Sequence, residues 1–148
     1  MKKYPSYKES SLAWLSKIPS HWEIKKLKYI ADHVLRGDSP VYTDKSRVKV
    51  VNQACVHKME LRLENLKYHV ECDIEGFKGK LRSNDLLVNS TGTGTLGRSC
   101  LFDLPNADDY IADSHVTVVR DSKDRFNPYF LQCFFSTNQD LSRWKKVL

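Results

Sequence analysis

The fold turns on one stretch, Asp85-Leu86-Leu87-Val88-Asn89-Ser90-Thr91-Gly92-Thr93-Gly94-Thr95-Leu96-Gly97-Arg98-Ser99-Cys100-Leu101-Phe102. Its first five residues read as a short apolar strand, and Cys100-Leu101-Phe102 reads as the strand that returns. Between them Gly92-Thr93-Gly94-Thr95-Leu96-Gly97 matches GxGxxG, the dinucleotide-binding fingerprint. That chemistry needs a helix directly after the glycines, whose free N–H groups meet a pyrophosphate. Here Arg98 to Phe102 runs at once into the turn Leu104-Pro105-Asn106. The expectation is therefore a wide β-hairpin loop, whose glycines and small hydroxyls let the backbone approach a strand or a phosphate closely.

Outward from this hairpin, Val116-Thr117-Val118-Val119 is a β-branched strand, Val48 to Val56 reads as another, and Leu61 to Val70 as strand and turn. Ile24, Leu27, Ile30/Ala31 and Val34 share one helical face, and Arg36-Gly37-Asp38-Ser39-Pro40 would end that helix. Asn127-Pro128 is an N-cap with proline at the first helical position. The helix behind it, Tyr129 to Phe135, is apolar nearly all round and is expected to be buried. Residues 4–24 read as an extended arm pinned by Trp14 and Trp22. The predicted fold is α+β, a single domain with a mixed twisted β-sheet flanked by helices.

A length of 148 residues suits one domain, 1–148, with residues 1–24 as its N-terminal arm. A hydrophobic share of 41% and a charged share of 28% fit a globular chain with its own core. The 3 Trp, 7 Tyr and 6 Phe exclude a disordered basic tail. The longest apolar runs fall far short of the ~20 residues of a membrane span. Tyr4-Pro5-Ser6-Tyr7-Lys8-Glu9 stands where a signal peptide would be apolar, so no export signal is expected. Cys55, Cys72, Cys100 and Cys133 form no CxxC pair, which points to reduced thiols and a cytoplasmic protein. The formal net charge of +6 favours a polyanionic partner, nucleic acid before an anionic membrane.

The motifs that imitate catalysis each have a plainer reading. Asn127-Pro128-Tyr129-Phe130 lacks one proline of the amino-methyltransferase box and is explained as a helix start. Asp121-Ser122-Lys123, downstream of Asp108 and Asp109, imitates a nuclease metal site but reads as a charged turn. Cys55, His57, His69 and Cys72 are zinc-ligand types without a CxxC knuckle. Asp113-Ser114-His115 has triad residue types that cannot form a triad among themselves. No catalytic, cofactor or metal site is predicted. The basic clusters remain. Lys45, Arg47 and Lys49, and Lys78, Lys80 and Arg82, border strands at alternating positions that would place each set on one side of a β-ladder. With Asn52, Gln53, Thr91, Thr93 and Arg98 they are the candidate DNA contacts, cations for phosphates and Arg, Asn and Gln for base edges.

Tyr7 to Leu27, with Trp14, Pro19, His21 and Trp22 in place, resembles the opening of type I restriction–modification specificity subunits. Asn84 to Arg98 and Asp113 to Arg120 resemble two further blocks of that family, in the same order. Ser11 and Ser16 stand where the family commonly has glycine, as does Asn84. The resemblance implies the N-terminal target recognition domain of such a subunit, without the spacer helix and second domain of a full one. It implies a module that reads one half of a bipartite site on double-stranded DNA and has no catalysis of its own. Separate methyltransferase and restriction subunits would carry the chemistry. The competing readings are a fragment of a DNA-modifying enzyme, an adenine methyltransferase or a nuclease, and a basic protein-interaction module.

Overall fold

A computed structural model of the chain describes residues 4–12 and 15–137. In chain order its strands are β1 (Tyr7–Leu12), β2 (Leu15–Pro19), β3 (His33–Arg36), β4 (Tyr42–Thr43), β5 (Lys49–Val51) and β6 (Val56–His57). They continue as β7 (Glu60–Leu61), β8 (Lys67–His69), β9 (Asp85–Asn89), β10 (Ser99–Phe102), β11 (Tyr110–Ala112) and β12 (Val116–Arg120), before the helix α1 (Pro128–Thr137). One four-stranded sheet has the order β10-β9-β12-β3, antiparallel throughout. A second has the order β11-β5-β8-β4, with β5 and β11 parallel. β1 with β2, and β6 with β7, form two-stranded hairpins.

The expected mixed sheet flanked by helices is thus incorrect. The described chain is mostly β-structure in several small sheets, and α1 is its one α-helix. The helix expected over Ile24–Val34 is a single 3-10 turn, Leu27–Tyr29, followed by strand β3. Lys26 at the N-cap position offers no side-chain acceptor to the first turn. Ile24, Ile30 and Val34 are β-branched and lose rotamer freedom in a helix. Pairing with β12, from Arg36 opposite Thr117 to His33 opposite Arg120, satisfies the backbone instead. The strand expected over Val48–Val56 is broken where Asn52 Oδ1 accepts the Ala54 N–H and turns the chain.

The central hairpin forms in the expected place, with Cys100 opposite Leu87 and Leu101 opposite Leu86. Both faces of this sheet are covered, which explains the unbroken apolar run in β9. Its inner face packs Leu87, Cys100, Phe102, Val116 and Val118 against Val51 and Ala112 of the second sheet and against Cys55 and Val56. Its outer face packs Leu86, Val88, Leu101 and Val119 against Leu27 and against Phe135 of α1. Full burial of each such side chain contributes roughly 1.5–3 kcal/mol. The two sheets touch backbone to backbone at Gly37, Gly79 and Ala112. A Cβ on Gly37 would lie 2.0 Å from the Ala112 carbonyl oxygen, and one on Gly79 would lie 2.8 Å from the Gly37 Cα.

α1 starts as expected, with Asn127 Oδ1 accepting the Phe130 N–H at 3.1 Å. It is not buried all round. Phe135 and Gln132 face the sheet, but among the described residues no layer covers the other side, and Tyr129 and Phe130 are 58% and 54% exposed. The N-terminal arm is the β1–β2 hairpin followed by Trp22, which meets Phe130 edge-on at 5.6 Å and is 36% exposed. Trp14 lies outside the described residues. The described cysteines form no disulfide, and burial pushes the thiols of Cys55 and Cys100 up to about 11 and about 12. Among the described residues no helix is long and apolar enough to cross a membrane.

Among the described residues one ion pair is deeply buried. Arg120 donates through Nε and Nη2 to the two carboxylate oxygens of Asp85, both at 2.6 Å, and its Nη2 also reaches the Lys80 carbonyl at 2.8 Å. The Arg82 N–H donates to Asp85 Oδ2 at 2.7 Å. Burial pushes the Asp85 carboxyl up, while Arg120 and the Arg82 N–H favour its ionised form. The pair fixes the start of β9. The other end of β9 leads into the glycine loop.

Candidate nucleic-acid interface

Several loops meet at that other end. They are the turn after β5 (residues 52–55), the glycine loop (90–98), the turn before β12 (113–115) and the end of β3. The Ser90 N–H and hydroxyl both donate to the His115 carbonyl at 3.0 Å. Asn89 Nδ2 donates to the Gln53 carbonyl at 3.1 Å. Arg36 Nε donates to the Ser114 carbonyl at 2.6 Å, and the backbone of Asp38 pairs with that of Asp113 in an isolated parallel β-bridge.

Three side chains from three of these loops form a relay. Gln53 Nε2 donates to Thr91 Oγ1 at 2.6 Å, and Thr91 Oγ1 lies 2.8 Å from His115 Nδ1. Gly92 makes room for it. Its φ is +93°, and a Cβ there would lie 2.9 Å from Gln53 Oε1 and 2.5 Å from Thr95 Oγ1. The GxGxxG look-alike is a hairpin loop, with Gly97 N–H returning to the Asn89 carbonyl at 2.9 Å, and not the start of a helix.

The carboxylates of this end are turned inward. Asp113 Oδ1 accepts the His115 N–H at 2.8 Å, and Asp38 Oδ2 accepts the Gly79 N–H at 2.9 Å. Burial, and then the charge of Asp113, push the Tyr42 hydroxyl above its ordinary range. Of the cations here, Arg36 and Lys58 are exposed and Arg98 is half-buried. Among the described residues Arg36, Lys58 and Arg98 have no carboxylate partner. Lys58 belongs to the β6–β7 turn, where the Met59 N–H donates to the Ser99 carbonyl at 2.8 Å, beside Arg98.

Of the residues singled out from the sequence, Gln53, Thr91, Thr93 and Arg98 come together here. Asn52 is close by but buried, with its amide holding the Asn65 carbonyl and the Ala54 N–H, so it shapes the turn. The basic sets do not line up on one side of a ladder as expected. Lys45 and Arg47 precede β5, and only Lys49 lies in it. Arg47 faces Asp109 at 3.1 Å and Glu71 at 3.8 Å. Lys49 lies 4.7 Å from the Tyr110 ring centre. Lys80 pairs with Glu75, while Lys78 and Arg82 are exposed on the segment that crosses between the sheets. The sequence reading left out Arg36, Lys58 and His115. For His115 a signal existed, because an Asp two residues before it can accept its N–H and present it on a turn.

The other motifs acquire structural roles. Asp121 accepts the backbone N–H groups of Lys123, Arg125 and Phe126, and with Asp32 it grips the Arg125 guanidinium. His69 Nδ1 lies 3.0 Å from the Val41 carbonyl oxygen, and Cys55 is in the core. Among the described residues no three His, Cys, Asp or Glu side chains are placed to hold a metal ion. No protein-family model and no curated protein matches this chain.

Proposed function

We propose that this domain binds double-stranded DNA as the specificity module of a type I restriction–modification system, reading one half of a bipartite site without catalysis of its own. The observation that carries the reading is the loop end described above. Arg36, Lys58 and Arg98 lack carboxylate partners there, while Asp38 and Asp113 are turned onto backbone N–H groups. Such an end offers phosphates cations that no carboxylate pairs and offers base edges the polar groups of Gln53, Thr91, Thr93 and His115. The resemblance of Tyr7 to Leu27, Asn84 to Arg98 and Asp113 to Arg120 to the specificity subunits supports the same reading. Methyltransferase and restriction subunits are the partners it implies, and the cytoplasm is the compartment.

The test is a salt titration of binding to labelled duplex DNA, followed by fluorescence anisotropy. Each phosphate neutralised contributes about −0.9 to the slope of log K against log salt, so three or four contacts give a slope near −3. A slope near zero, or no binding at low salt, overturns the reading.

A further inference from the structure

His115 is exposed, yet it is held like a core residue. Its N–H is taken by Asp113 Oδ1 at 2.8 Å, and its carbonyl by the Ser90 N–H and hydroxyl at 3.0 Å. Its ring nitrogen Nδ1 is met by Thr91 Oγ1 at 2.8 Å, which is itself fixed by Gln53 at 2.6 Å. Ordering an exposed side chain costs entropy, and a solvated ring gains little packing in return. Such an arrangement is instead what a preorganised contact requires.

The relay also bears on the chemistry of the free end. Thr91 has one hydroxyl proton and two lone pairs. With one lone pair filled by the Gln53 N–H, Thr91 keeps its proton and a second lone pair for Nδ1; when it donates that proton, the neutral ring carries its own on Nε2. A protonated ring carries a proton on Nε2 as well. In that tautomer and in the protonated ring Nε2 is a donor, and among the described residues it has no protein partner.

We propose that His115 is a specificity-determining residue, whose Nε2–H donates to a base-edge acceptor in the major groove, such as N7 or O6 of guanine. Gln53 and Thr91 are its positioning residues. This rests on the reading of the loop end as a DNA interface. The loss of one such hydrogen bond is expected to lower preference at one base-pair position by about five- to tenfold.

The experiment is selection from a pool of randomised duplexes with the wild-type chain, His115→Ala, Thr91→Val and Thr91→Ser, each with its thermal melt. His115→Ala should melt like the wild type and lose preference at one position while keeping it at the others. Thr91→Val should weaken preference at that same position, and Thr91→Ser, which retains the hydroxyl, should restore it. A uniform loss of affinity across all sequences would mean a phosphate contact and overturn the inference. An unchanged selected motif would overturn it too, with DNA binding left standing. A wild-type pool that binds without enrichment removes sequence reading itself, and the inference with it.

Discussion

Replacing Asp85 by Ala should be among the most damaging single changes in the chain. The Asp85 side chain is fully buried and that of Arg120 is 15% exposed. In the variant the guanidinium keeps the Lys80 carbonyl but loses both carboxylate oxygens, and the Arg82 N–H loses its acceptor. Removing one partner of a buried pair costs about 3–5 kcal/mol, because the other charge stays uncompensated. At about 2–4 °C per kcal/mol for a chain of this size, the melting temperature should fall by roughly 6–20 °C. Arg120→Met alone should be similarly harmful. The double variant Asp85→Ala/Arg120→Met should lose clearly less than the sum, since it leaves no unpaired charge. Urea unfolding of all four proteins measures the coupling. The loop end lies at the opposite end of β9, about 13 Å away at the rise of a strand. Held below its melting temperature, Asp85→Ala should therefore bind duplex DNA like the wild type. If Asp85→Ala cost under about 1 kcal/mol, or the two changes added without coupling, the pair would be solvated and the reasoning wrong.

Three further outcomes follow from particular contacts. Gly37→Ala forces a methyl carbon into the Ala112 carbonyl and should cost at least ~1–3 kcal/mol in urea unfolding, with wild-type stability refuting the close approach of the sheets. The Ser122 hydroxyl and N–H, then Arg125, hold the Asp32 carboxyl at about 2, below its ordinary 3.8. Its folded pKa is below its unfolded one, so its contribution is complete above pH ~4 and is lost as pH falls towards ~2. Asp32→Asn should flatten the dependence of the urea midpoint on pH in that window, and an unchanged curve would count against the contact. Arg98→Ala should reduce the salt slope of DNA binding by about one unit, whereas Arg47→Ala, already paired with Asp109 and Glu71, should leave affinity within about twofold. Equal effects from the two would remove the assignment of the loop end.

The elements legible in the sequence are those settled within a few residues. An apolar run, three glycines and a second apolar run give a hairpin wherever they occur, and β9, β10 and the loop between them formed as expected. The Asn127-Pro128 start of α1 held for the same reason, since a cap reaches only to the N–H three residues on. The apolar spacing of Ile24 to Val34 was compatible with a helix until the free edge of β12 offered it a ladder, and that edge lies more than eighty residues away in the sequence. The interface was legible only in part for the same cause. Residue chemistry singles out Gln53, Thr91 and Arg98, but also Lys80, which pairs with Glu75 nearby, and Arg47 and Lys49, whose acidic and aromatic partners come from other segments. Composition determined the sign of the surface charge, and local pattern determined the hairpin. Which cations remain unpaired, and that Gln53, Thr91 and His115 form one relay across separations of 38 and 24 residues, was decided by packing, because hydrogen bonds and ion pairs act over ångströms in space and not along the chain.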